Sequence, residues 1–359
     1  MNNRILVINP GSTSTKVALF EGENVFCEQT LRHPSEELLQ FSSEKEQLDF
    51  RREKVLNFLK EEEITLSSLD IVMARGGLCK PIPSGVYSID ENLLHDLAET
   101  PRKHASNLGA KIAFDIASKL AIPSCIADPV VVDELSDISR FSGHPKFPRL
   151  SIFHALNQKA IGRVFAKQVG IKYEDLNLII VHLGGGISVG AHQKGKVIDV
   201  NQGLDGSGPF SPERSGTLPV GDIIRASFSG AYTQQQMIEM VVGRGGLYAY
   251  LGTNDAKAIR EAAERGEEKE LEIMNAMIYQ VAKEICSLTV SLENNINAIL
   301  LTGGLAHGKW ITDRITEKVK HISDVHVFPG EDEMWALAQN GLMVLNKEAI
   351  PQVYGDTIY

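Results

Sequence analysis

Cysteine is scarce in this chain and scattered. Cys27, Cys79, Cys125 and Cys286 form no Cys-x-x-Cys pair, which removes a zinc ribbon and a disulfide framework from consideration. Aromatic residues make up only 6% of the 359 positions, too few for a platform on which single strands stack. Positive charge is in deficit. The formal net charge of −10 argues against nucleic acid as a partner, so an anionic ligand would have to be held by a few local arginines, lysines and backbone donors. No stretch approaches the roughly 18–20 apolar residues of a membrane span, so no membrane partner is expected. The opening Met1-Asn2-Asn3-Arg4 runs into an apolar strand without a leader core, and a reduced cytoplasm is the expected setting. The dinucleotide fingerprint GxGxxG is missing from every glycine turn considered below, which weakens a Rossmann oxidoreductase.

What is present suits a globular enzyme: 43% hydrophobic and 23% charged residues, in a chain long enough for two cores. Its opening is the apolar run Ile5-Leu6-Val7-Ile8, broken by Asn9-Pro10-Gly11 and followed by Ser12, Thr13, Ser14, Thr15 and Lys16. A strand, a turn dense in donors and a second strand at Val17–Phe20 suit the gripping of a phosphate. The pattern returns about 173 positions later, where Leu178–Leu183 leads into Gly184-Gly185-Gly186 and a second apolar run. At that offset Gly11 meets Gly184, Ala18 meets Ala191 and Gly22 meets Gly195. The repeat predicts a duplicated α/β domain with mixed sheets and a cleft between the copies. The turn-rich segment Ser139–Leu150 reads as the junction. The expected division is residues 1–149 with a C-terminal helix over 335–359 as domain I, and 150–334 as domain II.

Five expected strand ends finish in glycine or a functional side chain: Asn9-Pro10-Gly11, Arg75-Gly76-Gly77, Asp128-Pro129, His182 to Gly186, and Thr302-Gly303-Gly304. Ligands of α/β sheets bind at such ends. A phosphate loop of the Walker type nearly occurs from Gly303 to Gly308-Lys309, but Trp310 stands where a hydroxyl for Mg²⁺ is needed. Gly303-Gly304 instead reads as flat backbone beneath a planar base.

Together, Asn9–Lys16, His182–Gly186 and Leu301–Gly304 resemble the two phosphate motifs and the adenosine motif of the acetate and sugar kinase, Hsp70 and actin superfamily, whose domains are ribonuclease H-like. Within it, Ile152-Phe153-His154, Gly216–Asp222 and Glu331–Glu333 are similar to the carboxylate kinases of the acetokinase family. Asp128–Leu135 and Gly330–Ala338 resemble its butyrate kinase group most closely. The likeness covers nearly the whole chain, with the motifs in the family's order.

The resemblance implies ATP-dependent, reversible phosphorylation of a short-chain or branched-chain carboxylate to an acyl phosphate, run in the cell toward ATP. It implies ATP or ADP and Mg²⁺ as cofactors, and a homodimer or larger homo-oligomer. A carboxylic acid has a pKa of about 4–5, so the acceptor is already ionised and needs no general base. It needs a cationic clamp and donors around an in-line transfer. Arg75 and Arg214 are the clamp candidates, since a planar guanidinium binds carboxylate and phosphate bidentately. The family carries its two arginines in other places of these motifs, so both are displaced here. His154 falls where the family's histidine contacts the transferred phosphoryl group, and Gln158 stands where the family has a second histidine. Asp128 matches an essential aspartate and is assigned to ordering the metal or the attacking group. Asn9, Gly11, Ser12, Thr13, Ser14, Lys16 and His104 are expected on phosphate or substrate. His182, Gly184, Gly185, Gly186, Thr302, Gly303 and Gly304 are expected on the nucleotide, with Asn9, Glu331 and Glu333 toward the metal. Pro83, Val86, Phe147 and Phe210 are loop candidates for the acyl pocket. The rival readings are an acetate or propionate kinase and, more remotely, a sugar kinase or an actin- or Hsp70-like ATPase.

Overall fold

The computed structural model describes residues 3–38, 40, 41, 43–101 and 104–355, in two compact units. One unit comprises Met1–Val132 and Asp332–Tyr359, the other Asp133–Glu331.

The first unit is built on β1 (Arg4–Pro10), β2 (Ser14–Glu21), β3 (Asn24–Arg32), β4 (Ile71–Arg75), β5 (Val86–Ser88) and β6 (Ser124–Ala127). These form one mixed sheet in the order β3-β2-β1-β4-β6-β5. β1, β2 and β3 are an antiparallel meander, and β4 and then β6 join parallel to β1. Ile5 to Ile8 are completely buried. Leu6 and Ile8 belong to a core with Val55 and Phe58 of the helix Glu44–Glu61 and Ile112 of the helix Asn107–Leu120. From the other side Gly341 of the helix Glu333–Leu345 approaches Ile5 and Met73. Burial on both faces explains why β1 reads as a continuous apolar run rather than an alternating one.

The second unit repeats the plan. Its strands are β7 (Asn177–Leu183), β8 (Ile187–Gln193), β9 (Lys196–Val200), β10 (Ala298–Gly303) and β11 (Val325–Pro329), in the order β11-β10-β7-β8-β9. β7, β8 and β9 form the meander, and β10 and β11 run parallel to β7. The likeness extends to detail. Gly22 and Gly195 turn the second hairpin at φ +61° and +83°, and the register slips at Leu19/Phe20 in one sheet and Ala191/His192 in the other. Among the described residues no helix is long and apolar enough to cross a membrane.

Two local expectations are corrected. Val86 lies in β5, paired with Ala127, rather than in a loop. Residues 133–149 pack with the second unit, because Glu134 accepts from Lys159 and from the backbone N–H of Val197, and Ser136 N–H donates to the Ile198 carbonyl. The helix Glu268–Ser287 is followed by turns in which Glu293 and Asn294 take positive φ. A short helix, Gly246–Leu251, occupies a stretch without a helical signal.

Candidate active site

In the first unit the turn between β1 and β2 closes through Gly11 N–H to the Ser14 carbonyl at 2.8 Å. Arg51, fully buried on the helix Glu44–Glu61, holds this turn from beneath. It donates to the carbonyls of Ser14 and Ser12 at 2.9 Å each and to the Thr15 hydroxyl at 3.0 Å. The Thr15 hydroxyl also shares a hydrogen bond of 2.9 Å with His33 Nε2. Burial, then the charges of Arg51 and Lys54, lower the His33 pKa to about 4. Thr15 is therefore a structural member of the turn, whereas Ser12, Thr13 and Lys16 stand exposed and Ser14 half-buried.

Asn9 and Arg75 end the neighbouring parallel strands β1 and β4, and Glu333 opens the helix Glu333–Leu345. Glu333 Oε2 accepts from Asn9 Nδ2 at 2.7 Å and from Arg75 at 3.0 Å, and Arg75 also reaches Asn9 Oδ1 at 3.5 Å. The carboxylate orients the guanidinium, and its place in the first helical turn is electrostatically favourable. Asp128 ends β6. Its Oδ1 accepts from the Ser84 hydroxyl at 2.6 Å and Gly85 N–H at 2.9 Å, with the backbone at φ +39°, a strained conformation for a non-glycine residue. His104 and Ser12, far apart in sequence, share a recess of about 490 Å³ with Leu38, Phe41, Gln47 and Arg51.

In the second unit His182 ends β7, as Asn9 ends β1 at the duplication offset. Each bonds a residue in the first turn of a helix packed on its own sheet: Asn9 to Glu333, and His182 Nδ1 to Asn157 Oδ1 at 2.8 Å. His182 Nε2 lies 3.2 Å from Glu331 Oε2. The His154 ring stacks on that of His182 with centroids 3.7 Å apart and planes at 9°, and its Nδ1 lies 2.8 Å from Ser188 Oγ.

The Arg214 guanidinium lies so close to Gly186 that a Cβ there would overlap it. Arg214 donates to the Gly203 carbonyl, and its buried Nε has no hydrogen-bond partner among the described residues. Burial lowers its pKa, against the opposing charges of Glu213 and Asp205. Gly203 and Arg214 thus close over the turn Gly184–Gly186, itself held by Gly184 N–H to the Gly186 carbonyl at 3.1 Å. Thr302 donates its hydroxyl to the Gly330 carbonyl at 3.0 Å. Gly303, at φ +93°, is glycine because a Cβ would run into the Leu183 backbone. Gly304 differs, since a Cβ there would meet no protein atom within 4 Å.

Two expectations divide differently. Glu331 and Glu333 are committed separately, one to His182 and the other to Arg75 and Asn9, and among the described residues no three His, Cys, Asp or Glu side chains form a metal cluster. Phe210 belongs to the second unit's core, while Phe147 is exposed. Arg51 carried no sequence signal of this role. Asn157 and Ser188 carried no sequence signal.

Residues 149–326 match the model of the acetokinase family. His154, His182, Arg214 and Thr302–Gly304 all lie within the matched residues. The architecture of the whole chain is similar to Porphyromonas gingivalis acetate kinase, at TM-score 0.77 and 17% identity, covering 96% of this chain and 100% of that one. It is similar to a Francisella tularensis propionate kinase at TM-score 0.73 and 19% identity, covering 94% and 98% respectively. A ROK family protein from Streptococcus pneumoniae follows at TM-score 0.51 and 11% identity, over 96% and 99%. At these identities the likeness shows the fold, a duplicated α/β architecture shared with acetate kinases and ROK proteins.

Proposed function

We propose that this protein is an ATP-dependent carboxylate kinase that forms an acyl phosphate and ADP reversibly, with a short-chain or branched-chain acid such as butyrate or isobutyrate as acceptor. The observation that carries the reading is the segment matching the acetokinase family, which contains the His154–His182 stack and Arg214 against the glycine turn.

Arg75, oriented by Glu333 and Asn9, is the carboxylate clamp. The acceptor arrives ionised, and the guanidinium offsets the repulsion between it and the phosphates. Ser12, Thr13 and Lys16 donate to phosphate oxygens. His154 donates from its ring to the transferring phosphoryl group, and Arg214 lends its positive charge beside the glycine turn. Gly304 leaves space beside the backbone for the nucleotide. Asp128, fixed by Ser84 and Gly85, orders the strand-end loops around the acceptor.

Asn9 and Glu333 are a small oxygen-donor set. This fits Mg²⁺, which keeps several waters and binds through one or two carboxylates plus substrate phosphates rather than a protein cage. Bound there through water, the ion would neutralise developing charge on the phosphates. The apolar wall that Leu38 and Phe41 give to the Ser12–His104 recess favours an acyl chain longer than that of acetate. The names of the similar acetate and propionate kinases favour a second reading with those acids. Exposed Val220, Ile224 and Phe228 support a homodimer or larger homo-oligomer, and four free cysteines suit a cytoplasmic setting. Initial rates with ATP, Mg²⁺ and a series of C2 to C5 acids test the reading. A kcat/KM maximum at C4 supports it, and a maximum at C2 or C3 replaces butyrate with acetate or propionate.

A further inference from the structure

Behind His154 runs a chain of buried polar side chains that the reaction itself does not require. Tyr173 OH lies 2.6 Å from His192 Nδ1, and His192 Nε2 lies 2.9 Å from Gln158 Oε1. Gln158 Nε2 lies 2.9 Å from Ser188 Oγ, which lies 2.8 Å from His154 Nδ1. Gln158, Ser188 and His192 are completely buried, and Tyr173 nearly so. Such a network carries a direction if one member is pinned, because each buried group must match a donor with an acceptor.

Gln158 is that member. Its amide also faces the Ser188 main-chain carbonyl at 3.1 Å. A carbonyl only accepts, so the atom facing it is the NH₂ and the amide oxygen must face His192. His192 therefore donates from Nε2, leaving Nδ1 to accept from the Tyr173 hydroxyl. Burial, with the charges of Lys159 and Arg163, keeps His192 neutral, as this arrangement requires. At the other end Ser188 Oγ accepts from Gln158 and, at 3.4 Å, from the His154 backbone N–H. Its own hydrogen is left for His154 Nδ1.

We infer that Tyr173, His192, Gln158 and Ser188 are positioning residues, a directed hydrogen-bond relay that fixes His154 in the tautomer carrying its proton on Nε2. The inference rests on the proposed role of His154 toward the phosphoryl group. A ring with its proton on Nδ1 would turn a lone pair toward an anionic oxygen, whereas the Nε2–H tautomer presents a donor. His182, stacked on His154 and facing Glu331, is a further titratable group against the ring.

The test is ¹⁵N NMR of the full-length chain labelled at histidine, with the His154 signals assigned as those missing from His154→Asn. Tyr173→Phe removes one hydroxyl and leaves the packed ring, and Ser188→Ala breaks the last link. The expected result is a protonated Nε2 and bare Nδ1 in the wild type, a mixture of tautomers in both variants, and kcat lowered about tenfold with KM for ATP and acid within about twofold. A wild-type ring protonated on Nδ1, or a tautomer unchanged in both folded variants, overturns the relay. Full turnover by His154→Asn instead overturns the catalytic role of His154, whatever the tautomer shows.

Discussion

The Arg75 guanidinium and the Glu333 carboxylate meet at 3.0 Å, although 258 positions separate them in the chain. Both side chains keep partial exposure, so the pair contributes at most about 1 kcal/mol to folding. Arg75→Ala should leave the melting temperature nearly unchanged and lower kcat/KM for the acid at least about 100-fold, or about 2.7 kcal/mol. Arg75→Lys keeps the charge but loses the fork, and should recover only a small part. Wild-type turnover in either variant removes Arg75 from the site.

Arg51 behaves in the opposite way. It is buried and supplies donors to Ser12, Ser14 and Thr15. Arg51→Met leaves these acceptors without their partner and should cost about 3 kcal/mol in urea denaturation. A loss below about 1 kcal/mol would show that the turn holds itself.

The paired glycines after β10 separate folding from ligand binding. Gly303→Ala meets both a positive φ and the Leu183 backbone and should destabilise the chain by at least about 2 kcal/mol. Gly304→Ala meets no protein atom, so the melting temperature should hold while KM for ATP rises. An unchanged KM would place the nucleotide elsewhere.

Stability should fall on mild acidification. His33 and His192 both have pKa values lowered in the folded state, His33 to about 4 and His192 well below its ordinary value. Between about pH 6.5 and 4 the unfolded chain binds more protons than the folded one, so stability rises with pH across that window and their contribution is complete above it. Urea midpoints at pH 7.5 and 5.5 check this. A midpoint that does not fall at pH 5.5 would contradict it.

The duplicated sheets were legible because burial on both faces leaves a continuous apolar run, and because Gly22 and Gly195 mark the same hairpin twice. β5 was not, since three residues joined to a sheet edge carry no period of their own. Asn9, Arg75 and Asp128 could be read as strand ends. What they hold could not, because Glu333 and Ser84 reach them through tertiary packing alone. The relay behind His154 was hidden for the same reason: Tyr173, His192 and Ser188 have no common spacing, and only Gln158, one helical turn from His154, lies near it in sequence.

The most direct test of carboxylate phosphorylation is trapping of acyl phosphate as hydroxamate after incubation of the chain with ATP, Mg²⁺ and C2 to C5 acids. The account predicts hydroxamate from short-chain or branched acids, dependent on ATP. No product from any of these acids, alongside phosphorylation of a sugar, would contradict it.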